Sequence, residues 1–287
     1  MKYTSDNSEA TVSLRVPSSW REVSQHQLSF ILRLMEADIG MEDLVCRCLI
    51  RFSGLRLEGR SPERDMFLFS VRHGRRRRLV EISGQALAAW MQLLDWVRSL
   101  PDFPVRPDIA RWGGFCGLFR RKARALDAMF NRVPFAVFLS AEALYRRVME
   151  RFSKSDSPLD AVKDPVLGRL ASLLYPGLPE NRVPRVIRLA SIYWMAGLKS
   201  ALMRLYPDLY SSANAGKERE PQNLWNPAGD TGARAIRLST ESMVRALTRG
   251  DPLRREAVLA LDTHAALNEL DAIARENARL SSMSSGN

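Results

Sequence analysis

Leu28, Ile31, Leu32, Met35 and Ile39 fall three and four residues apart, and the same spacing returns along most of the chain. Such a period places apolar side chains on one stripe of an α-helix and cannot serve the alternating faces of a strand. It predicts an amphipathic helix over 25–38, with Ser24 as its N-cap. A second short helix follows Gly40, carried by Leu44, Val45, Cys48, Leu49 and Phe52. Ser83 can cap a third over 84–99, with Leu87, Trp90, Met91, Leu94 and Val97 on one stripe. A strand pair is legible in one place. Met66 to Val71 reads as a strand, His73-Gly74 as a turn, and Leu79 to Ile82 as the returning strand.

The second half is helical by the same criterion. Ser140 caps 141–152, a Ser/Asp/Pro break follows, and 164–175 comes next. Pro184 opens the longest helix, 185–206, which turns Val186, Leu189, Tyr193, Gly197, Leu198, Ala201, Leu202 and Leu205 inward. Helix 234–248 ends at Gly250, Asp251-Pro252 starts 252–261, and a last helix runs 264–280. Between them, Pro101, Pro104 and Pro107 impose an extended segment. Trp112-Gly113-Gly114-Phe115 reads as loop, and 133–138 as an edge strand or extended linker. The expected fold is therefore mostly α with one small β-hairpin, a multi-helix globular body with a C-terminal helical region. The expected division is 17–152, an N-terminal helical domain with the hairpin; 153–210, a helical segment; 211–232, a Gly/Asn/Pro-rich linker; and 233–280, the C-terminal helices.

Apolar residues make up 46% of the 287, enough for a sizeable core. No apolar run approaches the roughly 20 residues that span a bilayer, and MKYTSDNSEATVSLRV has no apolar core of a leader. The expected location is the cytoplasm, with no membrane partner. Cys46, Cys48 and Cys116 are too few and oddly spaced for a disulfide framework, and His26, His73 and His264 stand in no ligand spacing with them. The net charge is +11, and of 43 basic residues only six are lysine. The excess is local. Residues 72–124 carry 12 basic and 4 acidic side chains, whereas 234–287 carry 8 and 7. Arg75, Arg76, Arg77 and Arg78 sit on or just after the hairpin turn and are the candidates for phosphate contact.

No phosphate-cradling glycine loop, zinc-binding helix signature or nucleophile elbow occurs. Asp262-Thr263-His264 lies at a helix start, where capping accounts for the aspartate. Glu269 and Asp271 fall on an exposed helix, and Glu218 and Glu220 on the linker. No catalytic, cofactor-binding or metal-ligating residue is expected, and the reading is a non-enzymatic binding protein. Tyr193-Trp194 and the run Leu205 to Tyr210 read as core packing. Trp225 is an aromatic in a polar linker, so it reads as an anchor on this chain's body or on a partner.

The layout resembles a family of uncharacterised bacteriophage and prophage proteins encoded among virion and tail-assembly genes. The resemblance rests on Val16-Pro17-Ser18-Ser19-Trp20-Arg21-Glu22-Val23, on the hairpin leading to Ile82-Ser83-Gly84-Gln85, and on Leu100-Pro101-Asp102-Phe103-Pro104. It continues in Tyr193 to Lys199, Tyr206-Pro207-Asp208-Leu209-Tyr210, Thr240 to Thr248, and Leu267 to Ala272. It implies a phage-assembly setting, in the host cytoplasm or on the virion, and a tail-assembly or chaperone-like role. It identifies no site residues. On that reading the chain binds a phage structural or tail protein through its C-terminal helices, with Trp225, Leu267, Leu270 and Ile273 as contacts. The alternative is a nucleic-acid-binding protein that uses the basic 72–124 region.

Overall fold

The structure, a computed structural model, describes residues 16–37, 39–61, 65–73, 76–113, 121–153, 164–211 and 240–284. The chain forms two compact units, Met1–Ser99 and Leu100–Asn287. The division falls at the head of the proline-spaced segment, not at residue 152. The expected linker 211–232 lies outside the described residues except for Ser211.

In the first unit, α1 (Gln25–Glu36) starts at a full capping box. The Ser24 side chain accepts from the Gln27 amide, and the Gln27 side chain accepts from the Ser24 amide. It buries Leu28, Ile31, Leu32 and Met35, the stripe its period predicts. Helix α2 (Met41–Ser53) ends at Gly54, whose φ of 70° suits a residue without a side chain. The expected hairpin is β2 (Met66–His73) with β3 (Arg76–Ser83), in antiparallel register from Met66↔Ser83 to His73↔Arg76. It is widened by a strand the sequence hid, β1 (Leu55–Ser61), which pairs with β2 across an irregularity between Leu57 and Gly59. Ser83 caps α3 (Gly84–Met91) as expected, but the helix tightens into a 3-10 turn over Gln92–Arg98. Trp20 and Trp96 meet edge to face, 5.0 Å between ring centres. Their indole N–H groups donate to the carbonyls of Ser99 and Pro17, both at 3.0 Å.

The second unit is built round one long helix. Its elements are β4 (Ile109–Trp112), β5 (Arg121–Arg124), α4 (Phe135–Phe152), α5 (Pro165–Leu174), α6 (Arg185–Leu205), α7 (Pro207–Ser211), α8 (Thr240–Thr248), α9 (Arg255–Ala260) and α10 (Thr263–Ser284). Helix α6 buries every residue from Leu189 to Leu198. At its centre Trp194 is fully buried, with the rings of Phe130 and Tyr175 edge-on and the Arg106 guanidinium over its face. Its indole N–H donates to the Ala128 carbonyl at 2.8 Å. The proline-spaced segment lies along the same helix. A Cβ added at Gly197 would collide with the carbonyl of Phe103 and stand 2.9 Å from the Pro104 nitrogen.

Two expectations change here. Helix α4 begins at Phe135, directly after Pro134, so 133–138 is neither edge strand nor linker. Ser140 lies inside that helix, and its hydroxyl donates to the Ala136 carbonyl instead of capping an end. Residues 109–112 and 121–124 form a second antiparallel hairpin that the sequence reading does not contain, and Trp112, read as the start of a loop, ends its first strand. Mostly helical architecture with minor β structure is what the sequence predicts and what the chain adopts.

Candidate functional site

The residues expected to meet a protein partner come first. Leu267 and Leu270 are 0% and 4% exposed, packed within the second unit, and only Ile273 of that stripe is half-buried. Helix α10 packs on α7, α8 and α4, so it belongs to the unit's own core. The apolar stripe was read correctly, but what covers it is this chain. Leu267 and Leu270 therefore present no docking face. Trp225 lies outside the described residues.

Backbone bonds fasten the start of α10 to the turn that precedes α4. The Thr263 amide and hydroxyl both donate to the Val133 carbonyl, at 3.0 and 2.8 Å. The Phe135 amide donates to the Leu261 carbonyl at 2.8 Å. One Asp262 carboxylate oxygen accepts from the His264 and Ala265 amides, and the other from the Arg132 amide. Capping, as read from the sequence, is thus the role of Asp262. His264 has both ring nitrogens engaged. The Met129 carbonyl, 2.7 Å from Nε2, can only accept, which puts the ring proton on Nε2. Nδ1 then accepts from the Tyr206 hydroxyl at 2.6 Å. With neither nitrogen available, the imidazole has no lone pair to offer a substrate. Asp271, read as lying on an exposed helix, is 6% exposed. It accepts from the Leu209 amide at 2.9 Å and pairs with Arg275 at 3.0 Å. Glu218 and Glu220 lie outside the described residues.

Cys46 and Cys48 lie on α2. Burial pushes the Cys48 thiol up to about 12. Cys46 is also raised, by burial first and then by Asp43. Neither has the low-pKa setting of a reactive thiolate, and Cys116 lies outside the described residues. Among the described residues, no group of three or more His, Cys, Asp or Glu side chains could hold a metal ion. No helix of the described residues is long and apolar enough to cross a membrane.

The basic hairpins are different. Strands β2 and β3 contain no carboxylate between Met66 and Val80. Their register sets Arg72 opposite Arg77 and His73 opposite Arg76. Like charges at directly facing positions weaken a ladder. Arg77 and Arg78 are exposed, and neither has a carboxylate partner among the described residues. Arg75 lies outside those residues, as does the side chain of Arg76. Elsewhere Arg47, Arg98, Arg106, Arg151, Lys199, Arg204 and Arg275 each meet an acidic side chain.

The second hairpin repeats the arrangement. Residues 109–126 contain no Asp or Glu. Pairing sets Ala110 against Ala123 on the buried side and Ile109 against Arg124 and Arg111 against Lys122 on the other. Arg111, Lys122 and Arg124 are exposed and have no carboxylate partner among the described residues. The individual arginines were in plain view, but the strands that gather them were not. IARW and RKAR are four residues each, with alanine as the repeated inward residue, and give almost no alternation to detect. In comparisons with known proteins, no family model, curated protein or solved structure matches the chain.

Proposed function

We propose that the protein is a non-enzymatic nucleic-acid-binding protein that grips the phosphodiester backbone. The observation that carries this reading is the β2–β3 hairpin. Its far end sets Arg72 opposite Arg77, carries no Asp or Glu from Met66 to Val80, and leaves Arg77 and Arg78 exposed with no carboxylate partner among the described residues. Arg77 and Arg78 are successive residues of β3, opposite Arg72 and Val71, so between them they set positive charge on both faces of the ribbon. A polyanion compensates that charge, and each phosphate neutralised releases condensed counterions. Arginine suits the task because its planar guanidinium donates two parallel hydrogen bonds to phosphate oxygens. Binding should weaken steeply with salt. Replacing Arg77 and Arg78 together by glutamine should flatten the plot of log affinity against log salt for duplex DNA by about 1.8, at ~0.9 per lost phosphate contact. Fluorescence anisotropy with labelled DNA and RNA, titrated at several salt concentrations, reads this directly. Absence of binding at low salt, or an unchanged slope in the double variant, would sink the reading.

A second reading is assembly with a phage structural or tail protein, and one observation favours it. At the far end of α10, Leu280 and Met283 are 59% and 75% exposed, three residues apart on one helical stripe. Such a stripe suits helix-in-groove docking. A pull-down from phage-infected cells should recover a virion protein with the parent chain and lose it with Leu280→Glu/Met283→Glu. Equal recovery by both would count against this surface.

A further inference from the structure

We infer that the β4–β5 hairpin is a second phosphate-binding face, carried by the second unit and using Arg111, Lys122 and Arg124. The inference rests on the nucleic-acid reading above but concerns residues that reading does not use. In an antiparallel ladder, directly paired residues share a face, with Cβ atoms about 5 Å apart. Residues two apart on one strand share that face at about 7 Å. The register Ile109↔Arg124 and Arg111↔Lys122 therefore puts three cations on one side of a ribbon two strands wide. The opposite side is anchored by Ala110 and Ala123, 0% and 4% exposed, so the cationic side is the one that faces outward. No carboxylate falls between Ile109 and Leu126, and the nearest one upstream, Asp108, is taken by Arg106 at 2.7 Å.

The occupant this face fits is the backbone of a nucleic acid. Three cations within about 7 Å of one another repel when the ligand is absent. A single carboxylate neutralises only one of them, whereas successive phosphates of one strand offer several charges on a regular spacing. A two-stranded ribbon is also narrow enough to enter the major groove of a duplex.

The full-length protein carrying Arg111→Gln, Lys122→Gln and Arg124→Gln is titrated with duplex DNA, single-stranded DNA and RNA across a range of salt. With duplex DNA the salt slope should become shallower by about 2.7 relative to the parent, at ~0.9 per lost contact, and with single strands by about 2.1, at ~0.7. The charge-keeping variant Arg111→Lys/Arg124→Lys should restore most of the slope, with circular dichroism showing the fold intact in both. The arm that shows the larger loss identifies which nucleic acid the face prefers. If Arg77/Arg78 substitution flattens the slope and the triple substitution does not, this inference fails while the first hairpin's role stands. If the parent binds no nucleic acid, both fall. If poly-glutamate is bound as tightly, with the same dependence on Arg111, Lys122 and Arg124, the face is a general acidic-chain contact and the assignment to nucleic acid is overturned.

Discussion

At Gly197 the usual arithmetic of a helix interior reverses sign. Exchanging glycine for alanine within a helix ordinarily stabilises by about 1 kcal/mol, because alanine loses less backbone entropy. In α6 the added methyl would meet the Phe103 carbonyl, which is backbone and cannot swing aside as a side chain would. Gly197→Ala should therefore destabilise the protein by ~1–3 kcal/mol through overpacking. Urea unfolding measures it, and a stabilised variant would show that the extended segment does not lie where described. The sequence marks Gly197 as inward-facing by its helical phase. It cannot give the reason for a glycine there, since the colliding atom belongs to a distant segment. Leu267 and Leu270 teach the same limit. Periodicity tells which side of a helix is apolar, not whether the cover is the same chain or another.

Among the elements, the turn between Asp127 and Val133 depends most on its neighbours. Phe130 and Arg132 sit at φ 64° and 58°, in the left-handed region that disfavours side-chain-bearing residues. Such strain persists where surrounding bonds over-determine it. Here the Asp127 carboxylate accepts from the Met129 and Asn131 amides, Trp194 and His264 donate to carbonyls of the turn, and Asp262 accepts from Arg132. Asp262→Ala removes the cap of α10 and the Arg132 contact together. It should cost about 2 kcal/mol, more than an isolated cap. An unfolding free energy in urea that falls by less than ~0.5 kcal/mol would show that Asp262 secures neither the cap nor the turn. Legibility at this scale follows local chemistry. The capping box at Ser24 and the Asp251-Pro252 start are visible because cap and helix are adjacent in sequence. Strand β1 stayed hidden because LRLEGRS carries charge and glycine where strands favour branched residues. The start of α4 was obscured because Val133-Pro134-Phe135-Ala136-Val137-Phe138 has the composition of a strand, and tertiary packing overrides that preference. The first basic hairpin could be read from its strand-like apolar run and its turn. The second could not, because its strands are short and its inward residues small.

The molecule as a whole has a definite response to alkali. Burial raises the phenols of Tyr145, Tyr175, Tyr193 and Tyr210 above the ordinary range, and Tyr206 is raised by burial, then by Asp262 and Asp271. All five lie in the second unit. A raised folded value means the folded chain holds its phenolic protons more tightly than the unfolded chain. The resulting stability is fully present below the unfolded value, about 10. It is lost as pH rises through the interval above that value. The tyrosinate absorbance of these residues should thus stay low past pH ~10 and then rise steeply, together with loss of the helical signal. A gradual titration centred near the free value, in a chain that stays helical, would contradict their burial.

The bonds between residues 129–135 and 261–264 also set a timetable for synthesis. Ribosomes add about 5–20 residues per second, so about 6–26 s separate the emergence of Phe135 from that of His264. During that interval α4, α5 and α6 leave the ribosome with the strained turn unsecured and the face that will meet Leu267 and Leu270 open to water. The second unit therefore closes only once α10 has emerged. A nascent chain stalled before residue 240 should be bound by holdase chaperones and cut readily by protease, and the same chain released beyond α10 should escape both.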